Sequence, residues 1–444
     1  MANEWQVETI EEIAEKVGMG PFGSSIKVST FVDFGVPIIS GQHLNEAYVT
    51  DDDHNFITEE HAEKLKGANV FRGDVILTHA GNIGQVSYIP NDSKYAKYVI
   101  SQRQFYIRGA KGKVDPRFLT YYLRSPEGQH KVLANRSSSG VPSIARPVTY
   151  IKSVTVPVPD LKEQRRVADV LGALDDKIKL NRQMNRTLEA MARAIFKAWF
   201  VDFEPVKAKA AGATSFRGMP QEVFDQLPAR LTESELGPVP EGWDVAPLSS
   251  LIELIGGGTP KRKSPEYWGG AIPWFSVRDA PYERDVWVID TEEKITQLGV
   301  DNSSAKVMPE GTTIVSARGT VGRLALTAVP MAMNQSCYGV RGQDSIGDFF
   351  VYFTLHDAVA DLQQRTHGSV FDTITRKTFD GLTRVRPDTK SLKAFEEVVA
   401  PFVLRIRSNL CENQILASIR DTLLPKLISG EIRMPEALEG VDGG

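Results

Sequence analysis

Cysteine is scarce: Cys337 and Cys411 are the only two in 444 residues. That excludes a disulfide framework and any cysteine-based zinc spacing. The seven histidines, His43, His54, His61, His79, His130, His356 and His367, never fall at His-x-x-x-His spacing, so a metal site has little to stand on. No apolar run approaches the roughly 20 residues that cross a bilayer. The acidic N-terminal stretch lacks the basic-then-apolar layout of a signal peptide, and a reducing cytoplasm is the expected home. Basic excess is also missing. Lys and Arg number 52 against 56 Asp and Glu, for a net charge of −4. A nucleic-acid binder of this balance must arrange its positive charge on one face, or a partner must supply it.

Catalytic signatures are equally thin. No Gly-x-x-x-x-Gly-Lys-Ser/Thr loop is present to cradle phosphates, and no Gly-x-Ser-x-Gly elbow to expose a nucleophile. No Asn/Asp-Pro-Pro-Tyr/Phe run of the amino-methyltransferase kind occurs either. Gly18–Gly23 matches Gly-x-Gly-x-x-Gly by letter, but it follows a helix-like stretch, Glu8–Val17, and contains Pro21. A dinucleotide loop follows a strand and opens a helix. Pro159-Asp160 and Pro387-Asp388 begin a nuclease-like pattern, yet each reads better as a helix start. The chain therefore reads as a recognition or scaffolding protein, not a catalyst.

What is present is a pair of matching seams. Val167, Leu171, Leu174, Ile178, Asn181, Asn185, Leu188, Ala192, Ile195 and Trp199 recur at spacings of four and three. The same ladder returns 228 positions later as Phe395, Val399, Phe402, Ile406, Asn409, Asn413, Leu416, Arg420, Leu423 and Leu427. A 4-3 apolar repeat marks a helix that packs on another helix along one stripe. The asparagines sit on the same rungs of both, and a buried Asn fixes register and partner. Two long helices zipped together are expected, with two unrelated amphipathic helices as the plainer alternative.

These helices divide the chain. Residues 1–157 read as an α/β domain, with strand-like runs at Val36–Ser40, Asp74–Thr78, Gln85–Ile89 and Gln104–Arg108. A helix-like stretch, Pro116–Arg124, is broken at Ser125–Gln129. Residues 158–205 form the first long helix, with Asp160 as N-cap and Glu163 three residues on. Residues 206–240, rich in Ala, Lys, Gly, Pro and Glu, read as a linker. Residues 241–388 form a second α/β domain, 389–432 the second long helix and 433–444 a flexible tail. The two domains look like copies. Trp5 and Trp243, Gly20 and Gly258, and the runs Gly73–Gly84 and Gly311–Gly322 share an offset of 238. Pro37 and Pro273 slip by two, as loop deletions after an internal duplication would leave them. The shared run is a strand entering a glycine turn, which is either a tight hairpin or a surface that lets a phosphate backbone come close.

If recognition resides anywhere, it is in the polar and basic loops. Candidates in the first domain are Ser24, Lys27, Gln42, His79, Asn82, Arg103 and Ser138; in the second, Lys261, Arg262, Lys263, Arg278, Arg318, Thr320, His367, Arg376 and Lys377. Arg, Lys, Gln and Asn can read base edges, while Ser, Thr and backbone amides position phosphates. Solvated surface is the plain alternative for each.

Three stretches now carry a resemblance. They are Phe196-Lys-Ala-Trp-Phe-Val-Asp-Phe-Glu-Pro205-Val-Lys, Ser234-Glu-Leu-Gly-Pro-Val-Pro-Glu-Gly-Trp243 and Leu423-Leu-Pro-Lys-Leu-Ile-Ser-Gly-Glu-Ile432. With the glycine-turn strands and the Gly-Gly-Gly-Thr-Pro260 loop, the chain resembles the specificity subunit of type I restriction–modification systems over nearly its whole length. The first domain departs at that loop, with Gly20-Pro21 in place of Gly-Thr-Pro. The resemblance implies an α+β fold: two pseudo-symmetric α/β target-recognition domains separated by two long helices in an antiparallel coiled coil. It implies a non-catalytic subunit that reads a bipartite double-stranded DNA target, one half per domain. Expected partners are two modification (methyltransferase) subunits and two restriction (translocase/nuclease) subunits, with no membrane. No cofactor is expected in this chain; S-adenosylmethionine, ATP and Mg are expected on the partners. A modification-only or type IIB-like system and a non-DNA two-domain scaffold are the alternatives. On this reading the 33 residues from Val167 to Trp199 are a ruler of roughly 50 Å, matching about 15 base pairs.

Overall fold

The computed structural model describes residues 5–23, 25–137, 140–281, 285–366 and 373–433, with backbone alone at 364–366. The fold is α+β. By its contacts the chain divides into one unit made of residues 1–178 and 415–444, and another made of 179–414. Both long helices, Leu161–Phe200 and Thr389–Ile428, therefore begin in one unit and end in the other. No helix among the described residues is long and apolar enough to cross a membrane.

In the first unit, four antiparallel strands lie in the order Ala14–Met19, Gln104–Gly109, Val75–Thr78, Val86–Tyr88. A second sheet has the order Phe56–Ile57, Val36–Ile39, Lys97–Ile100, Asn69–Phe71, with its middle pair parallel. Runs such as Val75–Thr78 and Val36–Ile39 are buried at every position, which is why they read as unbroken apolar stretches instead of alternating ones. Gln6–Thr9 pairs with Thr155–Val158, the strand that feeds the first long helix. The helix-like Glu8–Val17 is thus corrected. One helical turn, Ile10–Ile13, sits between two strands, closed by a capping box of Thr9 and Glu12. Ser125 ends the helix Pro116–Arg124 and caps the next, Pro126–Leu133, so it is a joint between two helices.

The second unit repeats this plan. Its larger sheet runs Ile252–Gly256, Cys337–Gly342, Thr313–Ser316, Leu324–Thr327, with Trp287–Val288 added in parallel at the edge. The first unit keeps a trace of that fifth strand in the parallel pairing of Tyr48 with Tyr88. Its smaller sheet again has one parallel pair, Trp268–Phe275 with Ala332–Met333. Asp244–Pro247 pairs with Thr383–Arg386, as Gln6–Thr9 does with Thr155–Val158. The stretch read as a linker carries structure. Its helices Glu204–Ala210 and Gln221–Phe224 and the hairpin Leu231–Pro240 bury Val206, Phe224, Leu227 and Val239 in the core of this unit. Lys209 Nζ holds the turn by donating to three carbonyls, of Phe224, Asp225 and Leu227, at 2.6–3.1 Å.

Within each unit the long helices pack side by side and antiparallel. In the second unit Phe196, Trp199 and Phe200 meet Phe350, Phe353 and Phe395 in a cluster of edge-to-face and tilted rings 5.1–6.4 Å apart. In the first unit Leu424, Leu427 and Ile428 join Val167 and Leu171 in the core. The buried stripe is wider than the 4-3 ladder. Leu171, Ile178, Asn181, Asn185, Val399, Ile406 and Asn409 are buried, whereas Leu174, Leu188, Phe402, Asn413 and Leu416 are only partly so. Asp175, Glu189 and Val403 take the neighbouring buried places. Asp175 receives Tyr121 Oη at 2.7 Å and Arg420 Nη1 at 2.6 Å, and its side chain is 5 % exposed. Its position 228 residues later is Val403, so this pair exists in one unit only. Removing the arginine leaves the buried carboxylate with the Tyr121 hydroxyl and without that opposite charge. Arg420→Ala should cost about 3 kcal/mol in urea unfolding, while Asp175→Leu with Arg420→Met should cost far less; equal losses would contradict the pairing.

Candidate nucleic-acid interface

The order and direction of the strands bring particular loops together. In the first unit, Ala14–Met19 and Val75–Thr78 end, and Val86–Tyr88 and Gln104–Gly109 begin, at one end of the sheet. The glycine loop after Met19, the turn His79–Gly84 and the loop Ser101–Arg103 gather there. Gly20 N–H donates to the Gln104 carbonyl and His79 N–H to that of Arg103, both at 2.9 Å. Gly81 and Gly84 adopt φ of +85° and +88°, which closes the turn tightly and explains the glycines. Gly81 N–H donates to Pro142 and Ile144 N–H to His79, so the 140–144 segment joins the cluster. Gln85 Nε2 donates to the Gly41 carbonyl at 2.9 Å and to Asn45 Oδ1 at 3.0 Å, tying in the turn that carries Gln42.

The second unit builds the same end from matching positions. A Cβ on Gly257 would strike the Asn334 carbonyl as one on Gly20 would strike that of Ser101, and Ala317 N–H donates to Ser336, Gly322 N–H to Ser316 and Ile374 N–H to Ala317. Thr259 Oγ1 bonds Gln335, and Arg318 pairs with Thr373 along the backbone. The turn Val277–Asp279, closed by Ser276 and Asp279, carries Arg278 where the first unit has Gln42.

The candidates separate on this frame. Gln42, Asn82 and Arg103 are exposed at the first loop end, and Arg278, Arg318 and Thr320 at the second. His79 is half-buried; its Nε2 lies 3.2 Å from the Gln102 carbonyl, and burial lowers its pKa, so it serves the loop as a neutral donor. Lys27 opens a separate exposed turn, Val28–Thr30. Lys261 and Lys263 are exposed beside the Gly-Thr-Pro loop, but Arg262 is held. Its guanidinium lies 3.9 Å over the Trp268 ring and forms a two-pronged pair with Glu293. Arg376 donates to the Leu254 carbonyl at 3.1 Å, and Lys377 is exposed on the same short helix. Ser24, Ser138 and His367 lie outside the described residues. Sequence reasoning missed Gln85, Gln102 and Gln335. The signal was there, since Gln102 and Gln335 occupy matching places before matching strands.

The arginines fall into two sets. Arg108 grips Asp74 with two bonds of 2.8 and 2.6 Å, Arg341 pairs with Asp348, and Arg407 with Glu310. These hold the scaffold. Arg103 and Arg318 are exposed and have no ion pair with a described residue. Free guanidinium groups beside glycine turns suit phosphates or base edges.

Known proteins share this sequence and fold. Residues 2–190 and 240–383 match the family described as type I restriction modification DNA specificity domain. The type I restriction enzyme HindI specificity subunit of Haemophilus influenzae is 29% identical over 407 residues, covering 81% of this chain and 87% of that one. The MjaIX specificity subunit of Methanocaldococcus jannaschii is 25% identical over 445 residues, covering 98% and 94%. Among solved structures, the type I restriction–modification S subunit from M. genitalium superposes with a TM-score of 0.57 at 15% identity, covering 96% of this chain and 97% of that one, a likeness of fold.

Beneath Gln42 lies His43, 2 % exposed, its ring stacked 4.1 Å from that of His54. Ser40 N–H donates to its Nδ1 at 3.0 Å, which requires that nitrogen to be unprotonated. Burial, with the nearby His54, depresses its pKa from 6.5 to about 4. The unfolded chain therefore takes up the proton first as pH falls. The contribution is whole above pH 6.5 and is lost between about 6.5 and 4, by up to ~3 kcal/mol. Thermal melts from pH 7.5 to 4.5 should show this slope, and His43→Asn should flatten it; identical slopes would contradict the assignment.

Proposed function

The chain belongs to the type I restriction–modification DNA specificity family, and on that premise we propose that it reads a bipartite double-stranded DNA target, each unit taking one half-site. The observation that carries the reading is the repeated loop end: glycine turns, an exposed arginine with no ion pair among the described residues, and amide side chains at the same end of the same sheet in both units. Sites of this kind place variable loops on a rigid scaffold. A net charge of −4 then implies that partner subunits share the work of holding the phosphates. Two modification subunits dock on the long helices. Exposed apolar side chains support this: Leu180 and Met191 on the first helix, Leu404, Ile415 and Ile419 on the second. Restriction subunits add to that complex. S-adenosylmethionine, ATP and Mg belong on these partners. The cytoplasm, where Cys337 and Cys411 stay reduced, is the expected compartment.

The long helices act as the ruler between half-sites, with register set by their asparagines. Asn181 Nδ2 donates to Asn413 Oδ1 at 2.9 Å and to Glu412 Oε2 at 2.8 Å, and Asn409 Nδ2 donates to Asn185 Oδ1 at 2.8 Å. The two Asn–Asn bonds are images of one another under exchange of the helices.

The test of recognition is selection from random-sequence DNA at low salt by the chain in complex with its modification subunits. Enrichment of a single gapped motif is expected. No retention of DNA, under conditions where phosphate contacts are strongest, would overturn the reading. In the variant with Asn181, Asn185, Asn409 and Asn413 all replaced by Leu, melting should stay the same or rise while more than one gap length is enriched. Unchanged gap fidelity would count against the asparagines.

A further inference from the structure

Phe22 is the most unusual side chain at the first loop end. It is 78 % exposed, yet its backbone is pinned on both sides. Before it, Gly20 lies so close to the Ser101 carbonyl that a Cβ would strike it, and Gly20 N–H bonds Gln104. Pro21 limits the next φ. After it, Gly23 turns the chain at φ +68°. Ser25 Oγ donates to the Phe22 carbonyl at 3.0 Å, and His61 Nε2 lies 2.9 Å from the Ser25 carbonyl. A large ring held out of the core next to the pinned Gly20-Pro21 backbone loses little freedom on meeting a partner.

The other side chains at this loop end say what that partner offers. The loop that Gly20 grips carries Arg103, and Arg103 meets the turn that carries Asn82. An A·T pair shows adenine N6 and N7 and the thymine 5-methyl group in the major groove, where Asn suits the first two and an apolar side chain the third. We infer that Phe22 reads the 5-methyl group of a thymine in the half-site taken by the first unit. The inference rests on the DNA reading proposed above. The two half-sites are read differently at this point, because the matching position in the second unit, by strand register, is Thr259, which bonds Gln335. The departure of the Gly20-Pro21 loop from the Gly-Thr-Pro pattern thereby acquires a role.

The test uses the complex with modification subunits on duplex carrying the enriched motif. Deoxyuridine replaces thymine in one half-site at a time, removing only the methyl group. The natural chain should bind about five- to tenfold more weakly when one particular half-site carries uracil. Phe22→Ala should bind thymine and uracil versions of that half-site alike, and Phe22→Leu should keep part of the preference. Uracil in the other half-site should act equally on the natural and variant chains. A gapped motif whose thymine preference survives Phe22→Ala, or whose half-sites hold no thymine, overturns the role of Phe22 and leaves the DNA reading standing. Failure to enrich any gapped motif overturns both.

Discussion

Carboxamides packed between two long helices constrain everything else in this chain. Asn181 bonds Asn413 and Asn185 bonds Asn409, in a stripe otherwise filled by residues such as Ile178, Val403 and Ile406. Sliding one helix by a heptad would set Asn181 against Ile406 and Asn185 against Phe402. Each amide left without a partner costs about 1–3 kcal/mol. The apolar ladder alone tolerates such a slip, because its rungs repeat. The amides do not. The Asp175–Arg420 pair adds a second constraint, since only the first unit can place a carboxylate opposite that arginine.

A fixed register matters to the proposed reading because the loop ends of the two units are copies. Both units use the same strand order, one parallel pair in the smaller sheet, and loops at the same end of the larger sheet. Duplication explains the shared scaffold, and the loops carry the differences. Gln42 stands where the second unit has Arg278, Ala80 where it has Arg318, and Phe22 where it has Thr259. Changes of this kind alter the side chains offered at the loop ends and leave the sheets untouched. Paired arginines such as Arg108 and Arg341 stay with the scaffold in each unit.

Much of this was legible in the letters. The helix seams, the strand runs at Val36, Asp74 and Gln104, and the 238-residue repeat follow from periodicity and self-similarity. The misses have physical causes. Glu8–Val17 was misread because Ile10 and Ile13 have helical spacing, while pairing of Gln6–Thr9 and Ala14–Met19 with distant strands decides the structure. Asp175 escaped notice because a charge in a seam looks like surface until Tyr121 and Arg420 are seen to meet it. The 206–240 stretch lacks periodicity, yet Phe224 and Val239 find a core built by other elements. At the loop ends, residue type suggested Arg103 and Arg262 equally. Only geometry separates the free guanidinium from the one stacked on Trp268 and paired with Glu293.

The central claim is that paired helices of fixed register set the distance between two half-sites. Inserting one heptad into each helix, at matching positions, adds about 10 Å of helix, on the order of three base pairs of DNA. Methylation mapping of that variant, assembled with its modification subunits, is the most direct measurement. The account predicts the same two half-sites separated by a spacer about three base pairs longer. The original spacer, with both half-sites intact, would contradict it.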